Sequence, residues 1–189
     1  MDDDQERFLR EASSIVTQEA RQMQRYLDEG NLEEALKHAS SMISELKTST
    51  MSPKTYYELY MQVFDNLGQL KGAFMDEYRR GKKMEELYQM VQCNPNILPR
   101  LYLLITVGAV YIESRQAPAK TILKDLIEMT KGLQHPVRGL FLRYYLNPCR
   151  CHQFCLPILC CFIAFMHTST ALQHYTTLSQ GVHPTPKTQ

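Results

Sequence analysis

The chain has 189 residues, which is enough for one domain and a tail but not for two independent folds of ordinary size. Hydrophobic residues make up 44% and charged residues 22%, so the composition is not that of a disordered protein. The formal net charge of +1 excludes the strong basic excess of a dedicated nucleic-acid binder.

The amino-terminal residues and the distribution of cysteines favour a cytosolic protein. The first seven residues, MDDDQER, are acidic and contain no apolar stretch, so we expect no secretory signal peptide. Of the six cysteines, only Cys93 lies before residue 149, whereas a secreted disulfide scaffold would spread its cysteines through the fold. We therefore expect reduced thiols.

Helical periodicity dominates the chain from its start. Apolar residues at i, i+3 and i+4 from Phe8 to Leu27 predict a first helix, and Gly30 predicts its end. Asn31, with Glu34 three residues later, resembles a capping box and predicts the start of a second helix.

A long third helix is predicted next. Ser52 followed by Pro53 is a typical start, and Gly81 is a typical end. Gly68 and Gly72 lie inside this helix, where each costs about 1 kcal/mol relative to alanine. They predict a bend or a close helix contact.

Four further helices follow. The segment Met84–Val91 predicts a short fourth helix, and the apolar segment Leu101–Ile112 predicts a fifth. This fifth segment is too short to cross a bilayer, so we expect a buried helix. Pro118 predicts the start of a sixth helix, and His135 with Pro136 predicts the start of a seventh.

Seven helices with short links, and no strand signal, predict an all-α fold of antiparallel helix pairs. An α-solenoid of HEAT-like hairpins fits this pattern, and a closed bundle is the alternative. The composition changes at residue 147, and Lys187 is the only Lys, Arg, Asp or Glu among residues 151–189. We therefore predict a helical-repeat domain at 1–147 and an irregular or disordered tail at 148–189.

Three interpretations of the tail stay open. Thiolates and imidazoles bind zinc, but the tail has no CxxC pair. The apolar, Cys-rich stretch at 154–166 is a candidate for membrane association, but no basic cluster flanks it. The interpretation that we favour is an alternative or aberrant carboxyl end without an evolved site. The residues considered as metal ligands are Cys149, Cys151, His152, Cys155, Cys160, Cys161 and His167.

Catalytic motifs are absent from the sequence. It contains no GxxxxGK[ST], GxGxxG or HExxH pattern. His38 and His135 stand at positions where a histidine more often caps a helix or pairs with a neighbour than acts in catalysis. We predict a protein without enzymatic activity, cofactor or metal.

The start of the fifth helix breaks a local rule. Asn96 is a candidate cap, and Pro99 is tolerated in the first helical turn. Arg100 then places a cation near the positive end of the helix, which is unfavourable by about 0.3–1 kcal/mol. Such a conflict indicates either a protein interface, for which the planar guanidinium is suited, or an ion pair between Arg100 and a glutamate on the next helix.

These residues, together with longer blocks, resemble the amino-terminal region of the vacuolar protein sorting-associated protein 35 family, the large scaffold subunit of retromer. The resemblance covers nearly all of residues 5–146 and is clearest at 34–49, 52–61, 99–112 and 124–146. It implies an α-solenoid of HEAT-like hairpins. It also implies a non-enzymatic role in sorting transmembrane cargo from endosomes to the trans-Golgi network or the plasma membrane.

The resemblance further implies a partner and a binding motif. In this family the sequence PRLYLL is needed to bind the arrestin-like retromer subunit. The family's amino-terminal region is also associated with sorting nexins and a late-endosomal Rab GTPase, which implies a cytoplasmic protein held indirectly on the endosomal membrane. The implied partner-binding residues are Pro99, Arg100, Leu101, Tyr102, Leu103 and Leu104.

Two departures from the family qualify this expectation. Family members are several times longer and hold the phosphoesterase-like retromer subunit on a carboxyl-terminal solenoid, so we do not expect that subunit to bind this chain. The tail is unlike the family and fits a truncated isoform, non-functional or dominant-negative, or an artefact of gene prediction. A small metal- or membrane-binding protein that acts through its tail is the alternative from another functional class.

Overall fold

The computed structural model describes residues 2–48 and 51–151, and within these residues all regular structure is helical. A 3₁₀ turn, Glu45–Lys47, directly follows the second helix. The helices are α1 (Asp2–Asp28), α2 (Leu32–Ser44), α3 (Pro53–Arg79), α4 (Met84–Gln92), α5 (Ile97–Glu113), α6 (Ala119–Lys131) and α7 (Pro136–Cys151).

Side-chain caps mark the start of two of these helices, α2 and α3. The Asn31 side chain accepts a hydrogen bond from the Glu34 amide at 3.3 Å at the start of α2, as the capping-box pattern predicts. At the start of α3, the Ser52 hydroxyl accepts from the Thr55 amide at 3.2 Å. Asn96 precedes α5, but its side chain makes no capping bond, so the predicted cap is wrong there.

Successive helices run in alternating directions. Lys71 pairs with Glu113, and Tyr60 contacts Tyr102, with the same sequence separation of 42 residues in both pairs. A constant separation means that α3 and α5 run parallel. α4 packs against α5, and the short links between successive helices make neighbours antiparallel. This confirms the predicted all-α array of helical hairpins.

Helix α5 is the centre of the array. It packs against α2, α3, α4 and α6, and it is buried on nearly all sides. At Gly108 it lies close to α6, because an added Cβ there would lie 3.0 Å from Leu126 Cδ1 and 3.3 Å from Ile122 Cγ2. The alternative of close contacts at Gly68 and Gly72 is wrong, because a Cβ at either would have nothing within 4 Å.

Two further observations concern the extent of the fold. Residues Met1–Cys149 form one compact unit, and α7 continues through Cys151. The predicted tail lies almost wholly outside the described residues, so the boundary at residue 147 stays a prediction. Within the described part of the chain, no helix is both long enough and apolar enough to cross a membrane.

Candidate functional site

The PRLYLL motif occupies the first two turns of α5, and most of it faces the interior. Tyr102 is 0% exposed, and the three leucines are at most 5% exposed. Pro99 is also buried, whereas Arg100 is half-buried. The motif therefore presents one side chain, that of Arg100, to the surface. Its other five members fix α5 within the core.

Arg100 lies at the positive end of α5 without a carboxylate partner among the described side chains. Its Nη1 donates to the backbone carbonyl oxygen of Asn94 at 3.3 Å. The first turn of α5 contains no acidic residue, so nothing there offsets the positive end of the helix. The alternative that Arg100 pairs with a glutamate on the next helix is not supported by this geometry.

A second cation and an exposed apolar side chain lie at the start of α5. Lys47 Nζ donates to Asn96 Oδ1 at 3.3 Å, which explains why the Asn96 side chain does not cap the helix. Ile97 is 58% exposed, an unusual environment for isoleucine. We refer to Lys47, Asn96, Ile97 and Arg100 as the α5 rim.

An apolar groove lies beside the α5 rim, between α2 and the link from α4 to α5. Its volume is ≈ 460 Å³. Met90, on its wall, is 40% exposed. The rim and the groove together offer hydrogen-bond donors next to apolar surface, a combination typical of protein interfaces. The apolar residues that line the groove include Leu36, Met90, Val91, Pro95 and Leu103.

The link from α4 to α5 is held by a compact hydrogen-bond network centred on Asn94. Its Nδ2 donates to Ser40 Oγ of α2 at 2.9 Å, and its Oδ1 accepts from the Asn96 amide at 3.0 Å. Its own amide donates to the Val91 carbonyl at 3.1 Å. Asn94 is half-buried, and Ser40 is 9% exposed. No sequence pattern indicates the bond between Asn94 and Ser40, because these two residues are 54 positions apart in the chain.

Tyr102 contributes to the site through its ring. The ring centroid lies 5.2 Å from that of Tyr145 and 6.5 Å from that of Tyr60. Its hydroxyl is buried and has no hydrogen-bond partner among the described residues. Burial raises the pKa of the Tyr102 phenol well above its usual range, so the phenol stays neutral.

The two histidines among the described residues have structural partners. His38 Nδ1 lies 2.8 Å from Glu19 Oε2, and its ring stacks on Tyr26, so it links α2 to α1. His135 Nδ1 accepts from the Arg138 amide at 3.4 Å at the start of α7. Among the described side chains, no three His, Cys, Asp or Glu residues are grouped to hold a metal ion. The candidate ligands of the tail lie outside the residues whose side chains are described.

Together, the helical array and its exposed rim define a helical-repeat protein, a class whose stacked hairpins form extended binding surfaces. The family model for vacuolar protein sorting-associated protein 35 matches residues 8–157. The chain belongs to that family. The matched segment contains the whole motif and the α5 rim.

Individual relatives are similar over the same part of the chain. Vacuolar protein sorting-associated protein 35A of Arabidopsis thaliana is 55% identical over 144 residues, which is 76% of this chain and 18% of the relative. The Dictyostelium discoideum protein is 54% identical over 146 residues, 77% of this chain and 19% of the relative. The Schizosaccharomyces pombe protein is 43% identical over 141 residues, 74% of this chain and 17% of the relative. The chain thus matches less than a fifth of the length of these curated relatives.

Proposed function

We propose that this chain is a non-enzymatic retromer scaffold that binds the arrestin-like retromer subunit through the α5 rim, in endosome-to-Golgi transport and cargo recycling. The observation that carries the proposal is the intact motif at 99–104, placed so that Arg100 alone among its residues reaches the surface. Membership of the family supports the scaffold role.

The chemistry of Arg100 supports its assignment as the anchor. A guanidinium carries five N–H donors in a fixed plane, and the structure gives one bond from Arg100, to a neutral carbonyl. The remaining donors are suited to carboxylates or carbonyl oxygens of a partner. Ile97 beside it supplies apolar area, which gains free energy when a partner removes it from water.

The buried members of the motif act on binding indirectly. Leu101, Tyr102 and Leu104 are at most 5% exposed, so a partner that docks on the intact fold does not contact them appreciably. Their packing holds the first turns of α5 in place and thereby sets the position of Arg100. Truncation of any of these side chains to alanine would leave a cavity in the core and would weaken binding by destabilising or shifting the helix.

Further partners and a location follow from the same family membership. We propose that sorting nexins and a late-endosomal Rab GTPase recruit the chain, which would place it in the cytoplasm as a peripheral protein of the endosomal membrane. Membrane attachment would then be indirect, through these partners.

The test is the substitution Arg100→Ala in the complete chain. Loss of a desolvated arginine anchor typically costs at least ~2 kcal/mol, so the affinity for the arrestin-like subunit should fall by about 30-fold or more. Titration calorimetry with the purified subunit measures this effect.

The matched control is Arg79→Ala. Arg79 lies at the exposed end of α3 and pairs with Asp76 at 2.9 Å, away from the α5 rim. Its removal should leave the affinity unchanged. An Arg100→Ala variant that bound within about twofold of the unchanged chain would remove the basis of the site assignment, because that difference is only ~0.4 kcal/mol.

A further inference from the structure

Asn94 makes four hydrogen bonds in the link between α4 and α5. Its side chain bonds Ser40 of α2 and the Asn96 amide, and its own amide bonds the Val91 carbonyl of α4. Its carbonyl oxygen accepts from Arg100 Nη1. One half-buried residue therefore joins α2, α4 and the start of α5.

The bond to Arg100 depends on how the Asn94 carbonyl is oriented. Pro95 follows Asn94 and restricts its backbone to extended conformations. The Asn94 side chain is then held at two points, by Ser40 of α2 and by the Asn96 amide before α5. The carbonyl is thereby held where the Arg100 guanidinium reaches it, which limits the directions in which the guanidinium can point.

The chemistry of an amide fits this position. Asn94 uses its NH₂ group toward Ser40 and its oxygen toward the Asn96 amide, so it needs a donor and an acceptor in one short side chain. Aspartate would keep the acceptor and lose the donor, and alanine would lose both. The carbonyl that accepts from Arg100 remains in either variant, but it is no longer fixed from α2.

We propose that Asn94 is a positioning residue that orients the Arg100 guanidinium for partner binding, with Ser40 as its support on α2. This inference rests on the proposed function, because it concerns the same rim. It adds two residues outside the PRLYLL motif to those on which binding depends.

The test combines Asn94→Ala with Arg100→Ala in a double-mutant cycle, using the complete chain and the arrestin-like subunit. Asn94→Ala alone should lower the affinity about fivefold, because a less ordered guanidinium loses more conformational entropy on binding. In the Arg100→Ala background it should have no further effect, since residues that act through one group are not additive.

A second measurement distinguishes positioning from general destabilisation. In the free chain, the NMR order parameter of the Arg100 Nε–H group should fall in Asn94→Ala. Asn66→Ala is the matched control. Asn66 is also half-buried, and its substitution removes a hydrogen bond from its Nδ2 to Gln62 O at 2.7 Å within α3. It should change neither the Arg100 order parameter nor the affinity.

Ser40→Ala provides a milder variant for the case in which Asn94→Ala does not fold. It removes only the α2 partner of Asn94, and it should lower the affinity about twofold and the Arg100 order parameter in the same direction. Thermal unfolding of each variant establishes that the comparison is between folded proteins.

The outcomes separate the two proposals. Unchanged affinity in Arg100→Ala would overturn the proposed function. A loss in Arg100→Ala with no effect of Asn94→Ala would overturn the positioning role alone. Equal losses for Asn94→Ala in both backgrounds, or an unchanged Arg100 order parameter, would likewise overturn it.

Discussion

Tyr102 shows at the scale of a residue how a motif side chain can matter without reaching a partner. Its ring packs in an aromatic cluster with Tyr60 and Tyr145, and its hydroxyl is buried without a hydrogen-bond partner among the described residues. An unpaired buried hydroxyl costs about 1–3 kcal/mol of desolvation. The ring and the hydroxyl therefore have opposite effects on stability.

We predict that Tyr102→Phe increases the free energy of unfolding by about 1 kcal/mol, because it removes the unpaired hydroxyl and keeps the ring. The affinity for the arrestin-like subunit should not change. Urea denaturation measures the stability. Tyr56→Phe is the control, because the Tyr56 hydroxyl donates to Leu46 O at 3.2 Å and its loss should destabilise the fold. Equal destabilisation in both variants would contradict the prediction.

Asn31 and Asn96 show which helix caps can be predicted from the sequence and which cannot. Asn31 caps α2 through a contact three residues away, which a sequence pattern can identify. Asn96 has the same side chain before a helix, yet it accepts from Lys47, 49 residues away. Local sequence spacing cannot predict that Lys47 occupies the Asn96 oxygen, so the predicted cap was wrong.

At the scale of the helices, the contact between α5 and α6 leaves no room for a side chain at Gly108. At Gly108 a side chain would meet Leu126 and Ile122 of α6, whereas Gly72 of α3 faces open space. Both glycines lie inside helices, where any other common residue except proline is favoured by propensity. A substitution at Gly72 therefore tests helix propensity alone, whereas a substitution at Gly108 tests packing as well.

We predict that Gly108→Leu lowers the free energy of unfolding by about 1–3 kcal/mol through overpacking between α5 and α6. Gly72→Leu should raise it by about 0.5–1 kcal/mol through helix propensity. Chemical denaturation of both variants measures the difference. Similar effects of the two substitutions would show that Gly108 is not at a close helix contact.

Helix existence was largely predictable, because it depends on local periodicity, caps and breaks that the sequence carries. The starts at Ser52 and Pro136 follow from such signals. Which glycine allows close packing was not predictable, because it depends on the partner helix. The same limit applies to the bond between Asn94 and Ser40, which forms only when α2 packs beside the link from α4 to α5.

At the scale of the whole molecule, the chain carries the complete motif within an array that matches under a fifth of its relatives' length. If the α5 rim suffices for binding, it should engage the arrestin-like subunit in the same way as a full-length family member does. The two proteins would then exclude each other from one subunit.

We predict that increasing concentrations of this chain displace a full-length family member of the same organism from the arrestin-like subunit. Half-displacement should occur near the dissociation constant of the chain itself when the labelled full-length protein is dilute. Fluorescence anisotropy follows the displacement. The Arg100→Ala variant should not compete at the same concentrations, and formation of a ternary complex instead would contradict a shared binding surface.

The interior location of most of the motif has a consequence for how genetic evidence on it is interpreted. A screen for lost interaction would recover changes at Leu101, Leu103 and Leu104, all at most 5% exposed, as readily as changes at Arg100. The leucine variants would fail because less folded protein survives in the cell. Under the proposed function, the Arg100 variants would fail because recognition itself is impaired. Loss of the interaction on changing a residue of the motif is therefore not by itself evidence that this residue contacts the partner.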